Sequence, residues 1–210
     1  MFIDQSITQY LDALASGVEV PGGGSAAALA GAVGAATAMM AANFSLDPKK
    51  FAAVSAEVRD LLAQLQRYRA AMRRAVDDDA VAFGKFRAVC ALPKNTSEEK
   101  ARRDAALQKA LTAAMQPPWR VMNAATAALR LLPRLAAIGN ENLCTDTGGG
   151  AILLEAAVRA ARLNVLVNLR YLKDEAQKKH VAAQVEEWRQ TAASMVAKVE
   201  QWAEYALSAN

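Results

Sequence analysis

The residues best suited to chemistry in this chain are a handful of carboxylates and amides set into apolar helical patterns. Asp77-Asp78-Asp79 interrupts such a pattern just ahead of Ala82-Phe83. Successive helical residues diverge by about 100°, so at most one of the three is expected to point inward. Asp79 stands four before Phe83 and shares its face, which makes it the inward candidate; a solvated acidic run is the competing description. A carboxylate among apolar side chains is suited to proton exchange with a bound ligand. Asp146 follows Thr145 beside Gly148-Gly149-Gly150, where it reads either as a second proton-transfer group or as a helix cap. Asn164 and Asn168 lie four apart among Leu163, Val165, Leu166, Val167 and Leu169. Two stacked amides facing a core need partners, from a neighbouring helix or from a ligand.

A glycine-rich entry to a helix would have to position these groups. Pro21-Gly22-Gly23-Gly24-Ser25 forms a bend without Cβ atoms, open to close approach by backbone or ligand. Ser25 is expected to cap a helix over 25–44. That stretch is nearly all Ala and Gly, with only Leu29, Val33, Met39 and Met40 larger until Phe44. So smooth a helix suits a central post packed backbone to backbone. Its N-terminus offers free N–H groups and a positive dipole end. No Gly-Lys-Ser/Thr follows the glycines, so they do not form a mononucleotide-binding loop. The run 26–42 carries no charge, and a membrane span is the alternative to a core helix; Ala and Gly insert weakly and no aromatic belt flanks the run. No membrane association is therefore expected.

Bulk properties narrow the classes further. The chain has 210 residues, 53% of them hydrophobic, with a formal charge of +4. Residues 1–210 are expected to form one domain with a sizeable core. Basic residues alternate with acids, which argues against nucleic acid. His180 is the sole histidine and sits in Gln177-Lys178-Lys179-His180, so no histidine metal site or Ser-His-Asp triad is expected. Cys90 and Cys144 lack metal spacing and read as reduced thiols of a cytoplasmic protein. Met1-Phe2-Ile3-Asp4 has no basic region or apolar core of a signal peptide.

Nearly every segment has helical period and none has sustained period two. Helices are expected at the N-terminus up to Ser16-Gly17, over 25–44, and over 48–89 with a kink near Gly84. Thr96 with Glu99 forms a capping box for a fourth helix that Pro117-Pro118 must break or kink. Helix resumes at 119–138 with Pro133 disturbing it. A second Gly-rich loop at 145–150 leads into a helix at 151–172, followed by a last amphipathic helix. The two Gly-rich loops are expected to approach one another. The fold class is all-α, an antiparallel bundle of about six helices around an Ala/Gly-rich central one.

Several stretches together resemble the cyclodeaminase/cyclohydrolase family of one-carbon folate enzymes. They are the run 21–35 from Pro21-Gly22-Gly23-Gly24-Ser25, Asp79-Ala80-Val81-Ala82-Phe83, the run 92–100 from Leu92-Pro93-Lys94-Asn95, Gly139-Asn140, Thr145-Asp146, and the run 164–168. The family usually has Ser where Thr145 stands, and Ala or apolar residues in place of Gly149 and Gly150. The resemblance implies a homodimer acting on a tetrahydrofolate that carries a one-carbon unit, with no cofactor beyond that substrate and no metal. It implies Asp79 or Asp146 as the acid–base group. It further implies contact of the ligand with Gly22, Gly23, Gly24 and the Ser25 hydroxyl, and pterin recognition by Asn164 and Asn168. Pro21, Asn140 and Thr145 complete that set, with Lys49, Lys50 and Lys94 toward a glutamate or polyglutamate tail. Hydrolysis of 5,10-methenyltetrahydrofolate is the first reading, since no formiminotransferase stretch accompanies the chain. Cyclodeamination of 5-formiminotetrahydrofolate is the alternative, and a non-enzymatic folate-binding bundle the second.

Overall fold

The Ser6 hydroxyl accepts a hydrogen bond from the Gln9 N–H, and the Gln9 side-chain oxygen accepts one from the Ser6 N–H. This capping box starts helix α1, Ile7–Ala15. A computed structural model describes residues 1–208, and the elements that follow are α2 (Gly23–Asn43), α3 (Ser55–Cys90), α4 (Ser97–Leu129), α5 (Leu132–Ile138), α6 (Cys144–Leu169) and α7 (Glu175–Ser208), with short 3₁₀ turns at Phe2–Asp4 and Glu141–Leu143. No strand occurs among the described residues. The all-α class and the Ala/Gly-rich central helix match the expectation from sequence.

The small side chains of α2 let two helices lie against it as antiparallel zippers. Along α6, Gly23 faces Asn164, Gly31 faces Ala157, Gly34 faces Leu153 and Leu154, and Ala38 faces Gly150. Along α3, Gly24 faces Asp79 and Gly31 faces Met72. The closest approach is backbone to backbone: a Cβ on Gly34 would sit 2.8 Å from the Gly150 carbonyl oxygen, and one on Gly150 2.9 Å from that of Gly34. α4 and α7 close the bundle, with Leu65, Met72, Met122, Leu129, Leu154 and Val158 fully buried between helices. Trp119 and Trp188 pack at 4.5 Å between ring centroids. By length and composition α2 could cross a bilayer, yet 56% of that window is buried in the bundle.

Several expectations about local structure are corrected. Ser25 is not the cap of α2. The helix begins two residues earlier with Gly22 at the N-cap, and Ser25 lies buried in its first turn. The third helix starts at Ser55 rather than 48, because the Asp47 carboxylate and carbonyl close a local turn on the N–H groups of Lys49 and Phe51 at 2.8 Å each. It runs unbroken through Gly84, whose missing Cβ faces open space. Pro117-Pro118 does not end α4. Both prolines are buried, and their packing offsets the lost helix bonds. The break comes instead at 130–131, and Pro133 sits in the first turn of α5, where its missing N–H costs nothing. Finally, the stretch 145–150 is not a loop but the first turns of α6. Its glycines serve the close crossing with α2. Because α2 and α6 are antiparallel, the two Gly-rich stretches lie toward opposite ends of α2 and do not meet.

Candidate active site

The first turn of α2 has free N–H groups, and α3 delivers a carboxylate to it. The Ser25 N–H donates to Asp79 Oδ2 at 3.1 Å. Gly24 makes this possible, since a Cβ there would lie 2.2 Å from Asp79 Oδ1. Burial pushes the Asp79 carboxyl above the usual carboxylate range, and the Ser25 N–H only partly offsets this by favouring the anion. The group is thus poised to hold and release a proton nearer neutrality than a surface Asp.

Asp79 opens onto a cleft of about 370 Å³ between α2, α3, α4 and α6. Its floor is the Gly22–Gly24 backbone. Phe83, Phe86, Leu111, Pro118, Val167 and Tyr171 form apolar walls, and Asn164 and Asn168 add polar groups. Each amide nitrogen turns back onto its own helix: Asn164 Nδ2 donates to the Ala160 carbonyl at 3.0 Å, Asn168 Nδ2 to the Asn164 carbonyl at 2.8 Å. Their oxygens receive no hydrogen bond from the protein among the described residues. At the rim, Glu19 pairs with Arg87 at 3.0 Å, both more than half exposed.

The aspartate run divides its labour differently from the expectation of one inward residue. Asp77 is buried where Asp79 is half-buried, and Asp77 accepts the Phe2 N–H at 2.5 Å, which ties the N-terminal turn to α3. Asp78 pairs with Arg120 at 2.8 Å on the surface. Asp77 and Asp79 both turn inward because α2 and the N-terminal segment cover different sides of α3.

The remaining candidates fall in three places. The Ser25 hydroxyl is turned away from the cleft into the core, where it shares a 3.0 Å hydrogen bond with the Tyr10 hydroxyl. Pro21 is buried just outside the glycine floor. Lys94 stands in the exposed turn beyond α3, about 16 Å of helix past Asp79. Lys49, Lys50, Asn140, Thr145 and Asp146 lie at the C-terminal end of α2, about 30 Å from Gly24 along its axis. There Lys50, Asp47, Asn43 and Asn140 border a second depression of about 490 Å³, and the Ser45 hydroxyl fixes Asn140 by accepting its N–H at 2.8 Å. Thr145 is exposed and Asp146 half-buried in the first turn of α6. Within the chain Asp146 and Asp79 do not share a site. No group of three His, Cys, Asp or Glu able to hold a metal ion occurs among the described residues.

Sequence reading missed Leu111, Pro118 and Tyr171 as cleft residues, and Tyr10 as the core partner of the Ser25 hydroxyl. Tyr10 read as one more apolar position, and Pro118 as a helix breaker. A proline pair inside a helical pattern was the one available signal that α4 carries something special there.

Gly24→Ala tests the close approach. The new methyl is expected to push the carboxylate off the Ser25 N–H and lower turnover at least tenfold. Thermal stability should change little, because the clashing group is a side chain that can swing toward the open cleft. Steady-state rates and a melting curve on the same sample check this; unchanged turnover would show that Asp79 need not sit there.

The formiminotransferase-cyclodeaminase family model matches residues 6–187. The chain is 37% identical over 173 residues to a methenyltetrahydrofolate cyclohydrolase of Methylorubrum extorquens, covering 82% of this chain and 83% of that protein. It is 32% identical over 197 residues to the formimidoyltransferase-cyclodeaminase of Rattus norvegicus, covering 94% of this chain but 36% of the relative. The chain thus spans about a third of that longer protein. A solved formiminotetrahydrofolate cyclodeaminase of Thermotoga maritima superposes with a TM-score of 0.87 at 27% identity, over 97% of this chain and 98% of that one.

Proposed function

The chain belongs to the formiminotransferase-cyclodeaminase family, and on that premise we propose that it hydrolyses 5,10-methenyltetrahydrofolate to 10-formyltetrahydrofolate. The observation that carries this reading is Asp79, a carboxylate of raised proton affinity at the end of an apolar cleft. The similarity to a cyclohydrolase over four-fifths of both chains supports it.

The substrate's bridging carbon is the centre of a cationic amidinium. Ionised Asp79 attracts that cation and takes a proton as water adds to the carbon. The carbinolamine then collapses: the C–N5 bond breaks, Asp79 returns its proton to N5, and the hydroxyl proton leaves to solvent as the formyl C=O forms on N10. The apolar walls strengthen the charge interaction by excluding bulk water. The reaction as drawn uses no cofactor or metal, and a cytoplasmic setting agrees with two free thiols.

The second reading is cyclodeamination, favoured by the match to the Thermotoga maritima cyclodeaminase over nearly the whole chain. There N10 attacks the formimino carbon of 5-formiminotetrahydrofolate, and protonated Asp79 donates to the departing ammonia. Purified protein with 5,10-methenyltetrahydrofolate separates the two. Loss of the methenyl chromophore above the spontaneous rate supports hydrolysis. Ammonia release with appearance of the chromophore from 5-formiminotetrahydrofolate supports deamination. No turnover in either assay removes both.

The proposal includes a homodimer without nucleic-acid or membrane partners. Supporting it, the outer faces of α2 and α6 carry exposed Val33, Met40, Ile152 and Leu163. A two-fold axis across the middle of α2 would lay the Asp146 end of one subunit beside the Asp79 end of the other. Lys50, Asn140 and Asp146 of the partner subunit would then close the cleft, with the lysines toward the glutamate tail. Leu163→Glu is expected to yield a helical monomer by sedimentation velocity, with turnover reduced. A wild-type protein that sediments as a monomer at micromolar concentration would remove the dimer.

A further inference from the structure

The two prolines inside α4 have a consequence beyond packing. A helical carbonyl accepts from the N–H four residues on, or three residues on in a tighter turn. For Ala114 those residues are Pro118 and Pro117, and neither has an N–H. Ala113 keeps the N–H of Gln116 within reach. Ala114 alone loses both donors, and no side chain among the described residues replaces them. Helical carbonyls point toward the C-terminus, so this oxygen lies between Ala114 and Pro118. Both of those residues line the Asp79 cleft. α4 stays helical across the gap.

We propose that the Ala114 carbonyl is a ligand-binding group, an acceptor opened by Pro118 for an N–H of the bound molecule. It joins the oxygens of Asn164, Asn168 and Asp79, whose protein partners leave them open toward the same cleft. The polar lining is therefore rich in acceptors, beside the donors of the glycine floor, the second hydrogens of the two amides and the Tyr171 hydroxyl. Such a lining suits a cationic heterocycle bearing several N–H groups. The assignment of that heterocycle to a reduced pteridine rests on the folate reading above, whereas the open carbonyl does not.

Pro118→Ala supplies the missing N–H, closes the Ala114 carbonyl within the helix and withdraws the acceptor. Pro117→Ala returns the four-residue donor to Ala113, gives Ala114 only the three-residue donor of a tighter turn, and serves as the comparison. Titration calorimetry with 5-formyltetrahydrofolate, a stable reduced folate, is expected to show Pro118→Ala binding about tenfold more weakly, as for one lost hydrogen bond. Pro117→Ala should stay within about twofold of wild type, and Pro118→Ala should melt no lower, since a helix bond is regained. Equal affinity in Pro118→Ala and wild type overturns the proposal, as does an equal loss in both variants.

A high-resolution crystal structure of the wild-type protein decides the carbonyl independently of folate. An ordered water or additive donor on Ala114 O, absent once Pro118→Ala closes the helix, supports it. An Ala114 oxygen already satisfied by the protein overturns it. If wild type ignores 5-formyltetrahydrofolate while that oxygen is open, the folate reading fails and the open acceptor stands.

Discussion

Asp79→Asn is expected to lower turnover of 5,10-methenyltetrahydrofolate by roughly 10²- to 10⁴-fold, the range a positioned acid–base group supplies. The substitution keeps the shape of the side chain. Its carbonyl oxygen can still accept the Ser25 N–H, so far-ultraviolet circular dichroism should remain helical. What is lost is the negative charge facing the amidinium and the ability to take and return a proton. Near-normal turnover in this variant would remove Asp79 from the mechanism and turn attention to Asp146.

The same residue predicts a pH dependence. Burial raises the Asp79 pKa in the folded protein. Between the ordinary aspartate range and that raised value, the native state holds a proton that the unfolded chain has released. Unfolding then releases protons, so stability falls as pH rises through this window and is level above it. Asp79→Asn removes the penalty. It should equal wild type in stability below the ordinary aspartate range and exceed it near neutrality, a gain in stability at the expense of activity. In the hydrolysis the ionised form is needed. The acidic limb of kcat/KM should therefore lie above the ordinary aspartate range and vanish in the variant. A limb at the usual aspartate value would mean that another group sets it.

Gly34→Ala is expected to cost about 1–3 kcal/mol of stability, in the range of overpacked cores. In a chain of this size that is about 2–4 °C in Tm for each kcal/mol. The added methyl would meet the Gly150 carbonyl oxygen at 2.8 Å, Leu153 Cβ at 2.9 Å and the Leu154 nitrogen at 3.0 Å. Two of these three atoms are backbone, so α2 and α6 must move apart along their whole zipper. Gly31→Ala is expected to cost less, because its nearest neighbour is the flexible Met72 sulfur at 2.5 Å. Gly84→Ala should instead stabilise by roughly 0.5–1 kcal/mol, since its Cβ faces open space within a helix. Melting curves on the three variants would rank them. A Gly34→Ala protein as stable as Gly84→Ala would contradict the backbone contact.

How far the site could be read from sequence depends on the kind of signal. The first Gly-rich stretch, Asp79, Asn164 and Asn168 stand out because polar or Cβ-free residues in an apolar helical pattern are costly unless something meets them. The structure brings all of them to one cleft. The cap at Thr96 is local as well, and the Thr96–Glu99 box forms as its spacing implies. The errors arose where tertiary contact overrides local preference. Gly148-Gly149-Gly150 has the composition of a loop, yet it lies in a helix because Gly150 must pass the backbone of α2. Pro117-Pro118 has the chemistry of a break, yet burial holds the helix through it.

The sequence alone determined the helical class and the Ala/Gly post, and offered Asp79 and Asp146 as carboxylates for proton transfer, because periodicity and cost of burial are properties of neighbouring residues. Only the tertiary structure decided which candidates meet. The antiparallel run of α2 against α6 puts Asp146, Thr145 and Lys50 at the far end from Asp79, and α1 takes the Ser25 hydroxyl onto Tyr10. Spacing along the chain carries no record of these distances, because they depend on the direction in which one helix returns past another.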